Sequence, residues 1–338
     1  MFPTRFDNLH DLARLPWFSV QDGELAIDAA VGPSIDVHTH LALSFVMPQN
    51  VDLRADTGKT EHYLPADREF AFDRYLNQYL TQEDRTRMER DLVWGNFRKG
   101  GMRATHTVGN LAREMRGLAV RRSVLLAIDW PIGSRNALDW LAAVEGRDDL
   151  VVFGAVHPLA RDVEGKLDRQ KALGARGIKI HPAVQLLGPD HPRMIALCRA
   201  AGARGLPVFF HCGPVGIEGE GARRRTQVDR YRAALESCPD TTFVLGHAGA
   251  LQHERAIRFA RELPNVWVEV ASQGLPVIRQ LLDEVDPTRI CFGSDWPFYH
   301  QAIGLAKVLI ATEDRPDLRR MVLHDNAARL LGMQGAYA

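Results

Sequence analysis

The stretch Ser34-Ile35-Asp36-Val37-His38-Thr39-His40 closes a short apolar run on an H-x-H pair. Side chains alternate between the two faces of a strand, so His38 and His40 point the same way, one pleat apart, and can share one metal ion. A motif this short arises by chance in a chain with 13 histidines, and its meaning depends on the runs that follow it. Apolar, β-branched-rich runs recur at 123–129, 151–157, 177–181, 207–211, 242–247, 266–270 and 289–295, mostly separated by stretches of helical periodicity. With the first run they make eight. Near-continuous apolar strands alternating with helices predict a parallel α/β sheet covered on its outer face, and eight such units predict a (β/α)8 TIM barrel. Seven of the runs stop on His or Asp: His40, Asp129, His157, His181, His211, His247 and Asp295. In a barrel those C-terminal ends converge on one mouth, where active sites are built. Scattered surface or core histidines would have no preference for that edge.

Length and composition agree with this reading. At 338 residues the chain exceeds the roughly 250 of a typical barrel, which suits a single domain over 1–338 carrying insertions. Hydrophobic and charged contents of 46% and 25% are those of a globular protein. Formal net charge is zero, which argues against a nucleic-acid or membrane partner and leaves a small-molecule substrate, with homo-oligomerisation open. No charged and then apolar leader opens the chain, and no apolar stretch reaches the roughly 18 residues needed to span a bilayer. Cys198, Cys212, Cys238 and Cys291 lack C-x-x-C spacing and read as buried thiols in a reducing compartment, so a cytoplasmic location is expected. Cys212 follows His211 and should face away from it.

Two segments fall outside the βα rhythm. The connection 41–101 is far longer than the other links and carries Pro48, Pro65, a charged helical stretch over 67–99, and Gly100-Gly101. Leaving the top of the first strand, it is expected to rise beside the mouth as a lid. Residues 1–33 are too short for a domain and are expected to close the barrel bottom or mediate association. After the eighth strand, 303–310 and 318–331 read as helices, the second capped by Gly332.

The set D-V-H-T-H (36–40), G-I-K-I-H-P (177–182), P-V-F-F-H-C (207–212), F-V-L-G-H-A-G (243–249), I-C-F-G-S-D-W-P-F (290–298) and N-A-A-R-L-L-G (326–332) resembles the amidohydrolase superfamily, in particular its single-barrel branch without a flanking β-sandwich. The resemblance spans about 34–332 in order and spacing. It implies that His38, His40, His211 and Asp295 hold a divalent metal. His247 would either ligate a second metal or hydrogen-bond the reacting water and substrate.

Three imidazoles and a carboxylate suit zinc first, with manganese, iron or nickel as alternatives, and leave a position for water. Such a centre lowers the pKa of its water and polarises a substrate oxygen. Asp295 is then placed to act as general base and afterwards general acid, and His247 to stabilise a developing oxyanion. In binuclear relatives a fourth-strand lysine is carbamylated and bridges two metals, and Ile178-Lys179-Ile180 resembles that context. Only six of the 42 basic residues are lysines, yet one stands at this apolar position. The single-barrel branch usually holds one metal, so Lys179 is expected to stay unmodified and orient a substrate carboxylate; His181 is either a substrate contact or a supporting residue. Asp129-Trp130-Pro131 and His157-Pro158 are read as pocket lining or strand caps. Arg223-Arg224-Arg225 is read as an anion clamp or a solvated helix, and the direction of Glu269 stays open. The function expected is hydrolysis of an ester, lactone or amide. The alternative is non-oxidative decarboxylation or hydration of a carboxylic acid. A barrel reduced to a scaffold would have lost ligands, and none of the five principal positions is missing.

Overall fold

In the computed structural model, which describes residues 2–45, 47–97 and 100–333, the eight strands are β1 (Ser34–Thr39), β2 (Val120–Leu126), β3 (Leu150–Gly154), β4 (Gly177–Ile180), β5 (Val208–His211), β6 (Phe243–Gly246), β7 (Val266–Glu269) and β8 (Ile290–Cys291). Each pairs in parallel with its neighbours in sequence. The ring closes just beyond β8, where Val37 N donates to Phe292 O (3.0 Å), Asp295 N to His38 O (2.8 Å) and His40 N to Trp296 O (2.7 Å). The fold is the expected TIM barrel. Every residue of β1, β3, β4, β5 and β6 is buried, which is why these segments read as unbroken apolar runs.

Three strands end three or more residues earlier than the sequence suggests. β2 and β3 stop three residues before Asp129 and His157, and β8 has only two residues, leaving Asp295 on an irregular turn at φ +65°. Apolar character persists past the last ladder bond because the barrel top is itself buried, so hydrophobicity cannot mark where pairing stops.

The insertion is less helical than its charge pattern implies. The one α-helix among its described residues, α1 (Gln82–Trp94), starts at a capping box in which Thr81 and Asp84 bond each other's backbone N–H. Short 3₁₀ turns at Leu76–Tyr79 and Gly95–Phe97 flank it, and Lys99 at the end of the expected stretch lies outside the described residues. Phe70–Ala71 pairs instead with Arg5–Phe6, so part of the N-terminal segment is tied to the insertion. That junction sits on the mouth side, since Leu76 N donates to Ser272 O and Leu275 N to Phe72 O beyond the end of β7. Helix α2 (Val108–Gly117) returns the chain to the barrel wall. The C-terminal helices appear as expected, Gln301–Ala311 and then a continuous run from Pro316 to Leu330 closed by Gly332 at φ +67°. All four cysteines are free and buried.

Candidate metal centre

The pleat of β1 presents Asp36, His38 and His40 on one face, and each histidine is held from behind. His38 Nδ1 lies 2.8 Å from Glu269 Oε2, and His40 Nδ1 donates to Leu126 O at 2.8 Å. With Nδ1 committed as donor, Nε2 carries the lone pair on both rings, the form a metal requires. Both Nε2 atoms lie 3.4 Å from the same oxygen, Asp295 Oδ1. Ligands about 2.0–2.1 Å from a tetrahedral zinc stand about 3.3 Å apart, so these three atoms fit one cation as neighbouring corners of its shell. Asp36 fixes the turn that carries Asp295: it accepts from His38 N (3.0 Å), Ser294 N (3.0 Å), Ser294 Oγ and Gln301 Nε2 (2.7 Å), while burial raises its pKa to about 6.

His181, His211, His247 and Lys179 line the same cavity. His211 stacks on His181 at 3.9 Å between ring centroids and meets His247 edge-on at 4.9 Å, and His247 lies 4.7 Å from His38. His211 is outside the tight trio of His38, His40 and Asp295, whose ligand atoms all lie within 4.8 Å of one another. Burial, reinforced by neighbouring cationic groups, holds His38, His181 and His211 well below the usual imidazole pKa. His247 falls to about 4 by burial, with Asp295 resisting, so it is neutral at pH 7; its Nδ1 has no hydrogen-bond partner. Lys179 Nζ likewise has none, sits 4.5 Å above the Phe209 ring, and is lowered by burial to about 7.

Glu269 is the residue whose direction the sequence left open, and it points inward. Besides contacting the His38 ring it accepts from the backbone His247 N (3.0 Å) and from Ala271 N, so one side chain holds the His38 imidazole and the His247 backbone; burial pushes its pKa up to about 8. A Cβ at Gly293 would come within 2.3 Å of Glu269 Oε1, so only glycine fits there. His38, His247 and Glu269 also form a compact group. It is not a second metal site facing the cavity, because it uses the His38 nitrogen that already bonds Glu269. Glu269→Gln is expected to leave the fold intact and weaken metal binding about 10- to 100-fold, read by competition with a chromogenic chelator. Unchanged affinity would refute its supporting role. An acid inside an otherwise apolar run was the available signal; its face needed the β7–β8 register.

A second cluster was invisible in the sequence. Glu114 on α2 contacts His62 of the insertion (3.2 Å) and His300 (3.6 Å), and accepts from Trp296 Nε1 (3.1 Å) and Gln301 N (3.0 Å). Burial would raise its pKa, but His300, His62 and these donors hold it below the usual carboxylate value. The cluster pins the insertion to the turn after Asp295.

Two readings that the sequence left open are decided by the structure. Asp129 and His157 line a separate cavity beside the mouth: Asp129 accepts from Ser134 Oγ (3.4 Å) and His157 Nε2 bonds Gln185 O (2.9 Å), as strand-end polar groups often do. Their neighbour Trp130 does reach the main cavity. Arg223, Arg224 and Arg225 lie on a six-residue helix, the first two exposed, and none lines the cavity, because the helix turns Ala222 and Thr226 inward.

The cavity over these residues measures about 450 Å³. Its outer wall includes Leu43, Phe45, Tyr75, Met88 and Leu92 from the insertion, with Trp130, Ile128 and Phe298.

A parallel (β/α)8 barrel gathers histidines and an aspartate at its C-terminal mouth, a group that could hold a metal ion. The amidohydrolase family profile matches residues 35–333, and the chain belongs to that family. Among solved structures, it resembles an uncharacterised TIM-barrel protein from Bordetella bronchiseptica (TM-score 0.63, 19% identity, 89% of this chain and 99% of that one). It also resembles an amidohydrolase 2 from Bifidobacterium longum subsp. infantis (0.52, 18%, 89% and 98%) and a 2,6-dihydroxybenzoate decarboxylase from Rhizobium (0.53, 15%, 89% and 100%). At these identities the likeness concerns the fold. No curated protein matches the chain. Among the described residues, no helix is long and apolar enough to cross a membrane.

Proposed function

We propose that the chain is a metal-dependent hydrolase of small-molecule esters, lactones or amides, with one divalent cation, zinc by preference, held by His38, His40, His211 and Asp295. The observation that carries this reading is the single oxygen, Asp295 Oδ1, lying 3.4 Å from both free imidazole nitrogens at the base of the cavity. When bound, the cation would acidify a water and polarise the substrate carbonyl. Asp295 takes a proton from the attacking water as its oxygen bonds to the carbonyl carbon. It then returns the proton to the departing oxygen or nitrogen as the C–O or C–N bond breaks. His247, neutral and with Nδ1 unpartnered, holds the water or the substrate oxygen by a hydrogen bond. The insertion residues lining the cavity exclude bulk water.

One observation favours the second reading, decarboxylation or hydration of a carboxylic acid. Lys179 Nζ is buried without a hydrogen-bond partner and could seat a substrate carboxylate. The amidohydrolase and decarboxylase neighbours carry both chemistries on this fold. Hydrolysis is preferred because no arginine is among the described cavity-lining residues. Turnover of esters, lactones and amides, beside hydroxyaromatic and unsaturated acids, in oxygen-18 water separates the readings. Label in the acid product of a cleaved bond is the expected result. Carbon dioxide release with unlabelled organic product would overturn it, and label gained without cleavage would indicate a hydratase.

A further inference from the structure

We infer that this site takes a substrate with a bulky apolar body, aryl or medium-length alkyl, joined to a single polar reacting group. The inference rests on the hydrolase reading for the bond that is cut, and on the cavity wall for the body attached to it. The basic groups of the cavity are its histidines and Lys179, gathered around Asp295. The rest of the wall is dominated by side chains such as Phe45, Met88, Leu92, Trp130 and Phe298. Met88 and Leu92 are four residues apart on α1 and so share a face, and both line the cavity. Methionine adapts its shape to differing apolar partners.

Apart from Lys179 and Asp295, the only charged side chain among the described lining residues is Glu218. Its oxygens accept from Val215 N and Ile217 N, both at 3.0 Å, which fixes a carboxylate in the wall with no cationic side chain among the described residues bonded to it. A second carboxylate on the substrate, away from the reacting group, would be stripped of water against apolar side chains or would face Glu218. The wall therefore selects for an apolar body and against di- and tricarboxylates.

Straight-chain hydroxamic acids from acetyl to octanoyl, titrated calorimetrically into the metal-loaded protein, test this without turnover. Affinity should rise about three- to fourfold per methylene until the cavity is full. The octanoyl compound bearing a terminal carboxylate should bind at least tenfold more weakly than its parent, and Met88→Asp should flatten the chain-length dependence. Affinity independent of chain length, or improved by the terminal carboxylate, would overturn the inference; the wild-type series decides this whether or not Met88→Asp folds. Parallel assays on p-nitrophenyl esters of the same lengths keep the two conclusions apart. A chain-length gain in binding with no ester, lactone or amide cleaved supports the apolar-substrate inference and removes the hydrolase reading. Cleavage confined to acetyl or carboxylated esters does the reverse.

Discussion

Asp295→Asn should lower kcat by about 10³- to 10⁴-fold while leaving the barrel folded. The substitution keeps the shape of the side chain and the backbone bond from residue 295 to His38 O, and removes the group that takes and returns the proton. Metal content should fall less than activity, because the amide oxygen can still face the two Nε2 atoms. Steady-state kinetics on the best ester or lactone, with elemental analysis of the same preparation, read both quantities. Activity within tenfold of wild type would remove Asp295 from proton transfer in either reaction considered.

The second large effect concerns His211. It lies in the cavity beside His181 and His247 but outside the closest trio, so its ligand role rests on the resemblance and on its place at the end of β5. His211→Ala should strip most of the metal from a wild-type protein that carries about one equivalent per chain, with Lys179 unmodified in intact-mass spectra. Full retention with unchanged activity would exclude it as a ligand, and two equivalents with a carbamylated lysine would exclude a mononuclear centre. Acidity supplies a related check. The imidazoles of His38, His181, His211 and His247 titrate below their ordinary range when folded, so below about pH 6.5 the unfolded chain binds more protons than the native one. Their share of stability is complete above that pH and lost as pH falls through it. Metal-free protein should therefore show a falling Tm from about pH 7 to 5, and bound metal should raise the whole curve.

The barrel and most of the polar residues at its mouth were legible because each strand announces itself locally, as an apolar run closed by a polar residue. The ends were not. Asp129 and His157 share that pattern with His211, yet β2 and β3 end early enough to send them into a neighbouring cavity. What separates the two cases is inter-strand register, which no single run contains. Glu269 and Glu114 were hidden for a similar reason, since their partners, His38 and His62, come from remote parts of the chain. The triple arginine shows the converse, a conspicuous local charge cluster that the fold keeps out of the cavity, with Arg223 and Arg224 exposed.

The seam between β1 and the turn after β8 has a consequence for how the protein is made. Asp36 and Ser294, 258 residues apart in sequence, meet there beside His38, His40 and Asp295. During synthesis the histidine pair leaves the ribosome well before its carboxylate partner, so the full coordination shell cannot form until Asp295 has emerged. Closing so long a loop carries an entropic cost that is met before the contacts it brings together reward it. A cation captured at that moment would act as a clasp, adding its binding energy to the one junction held by no regular strand ladder. Metal supply would then govern the yield of closed barrels as well as their activity.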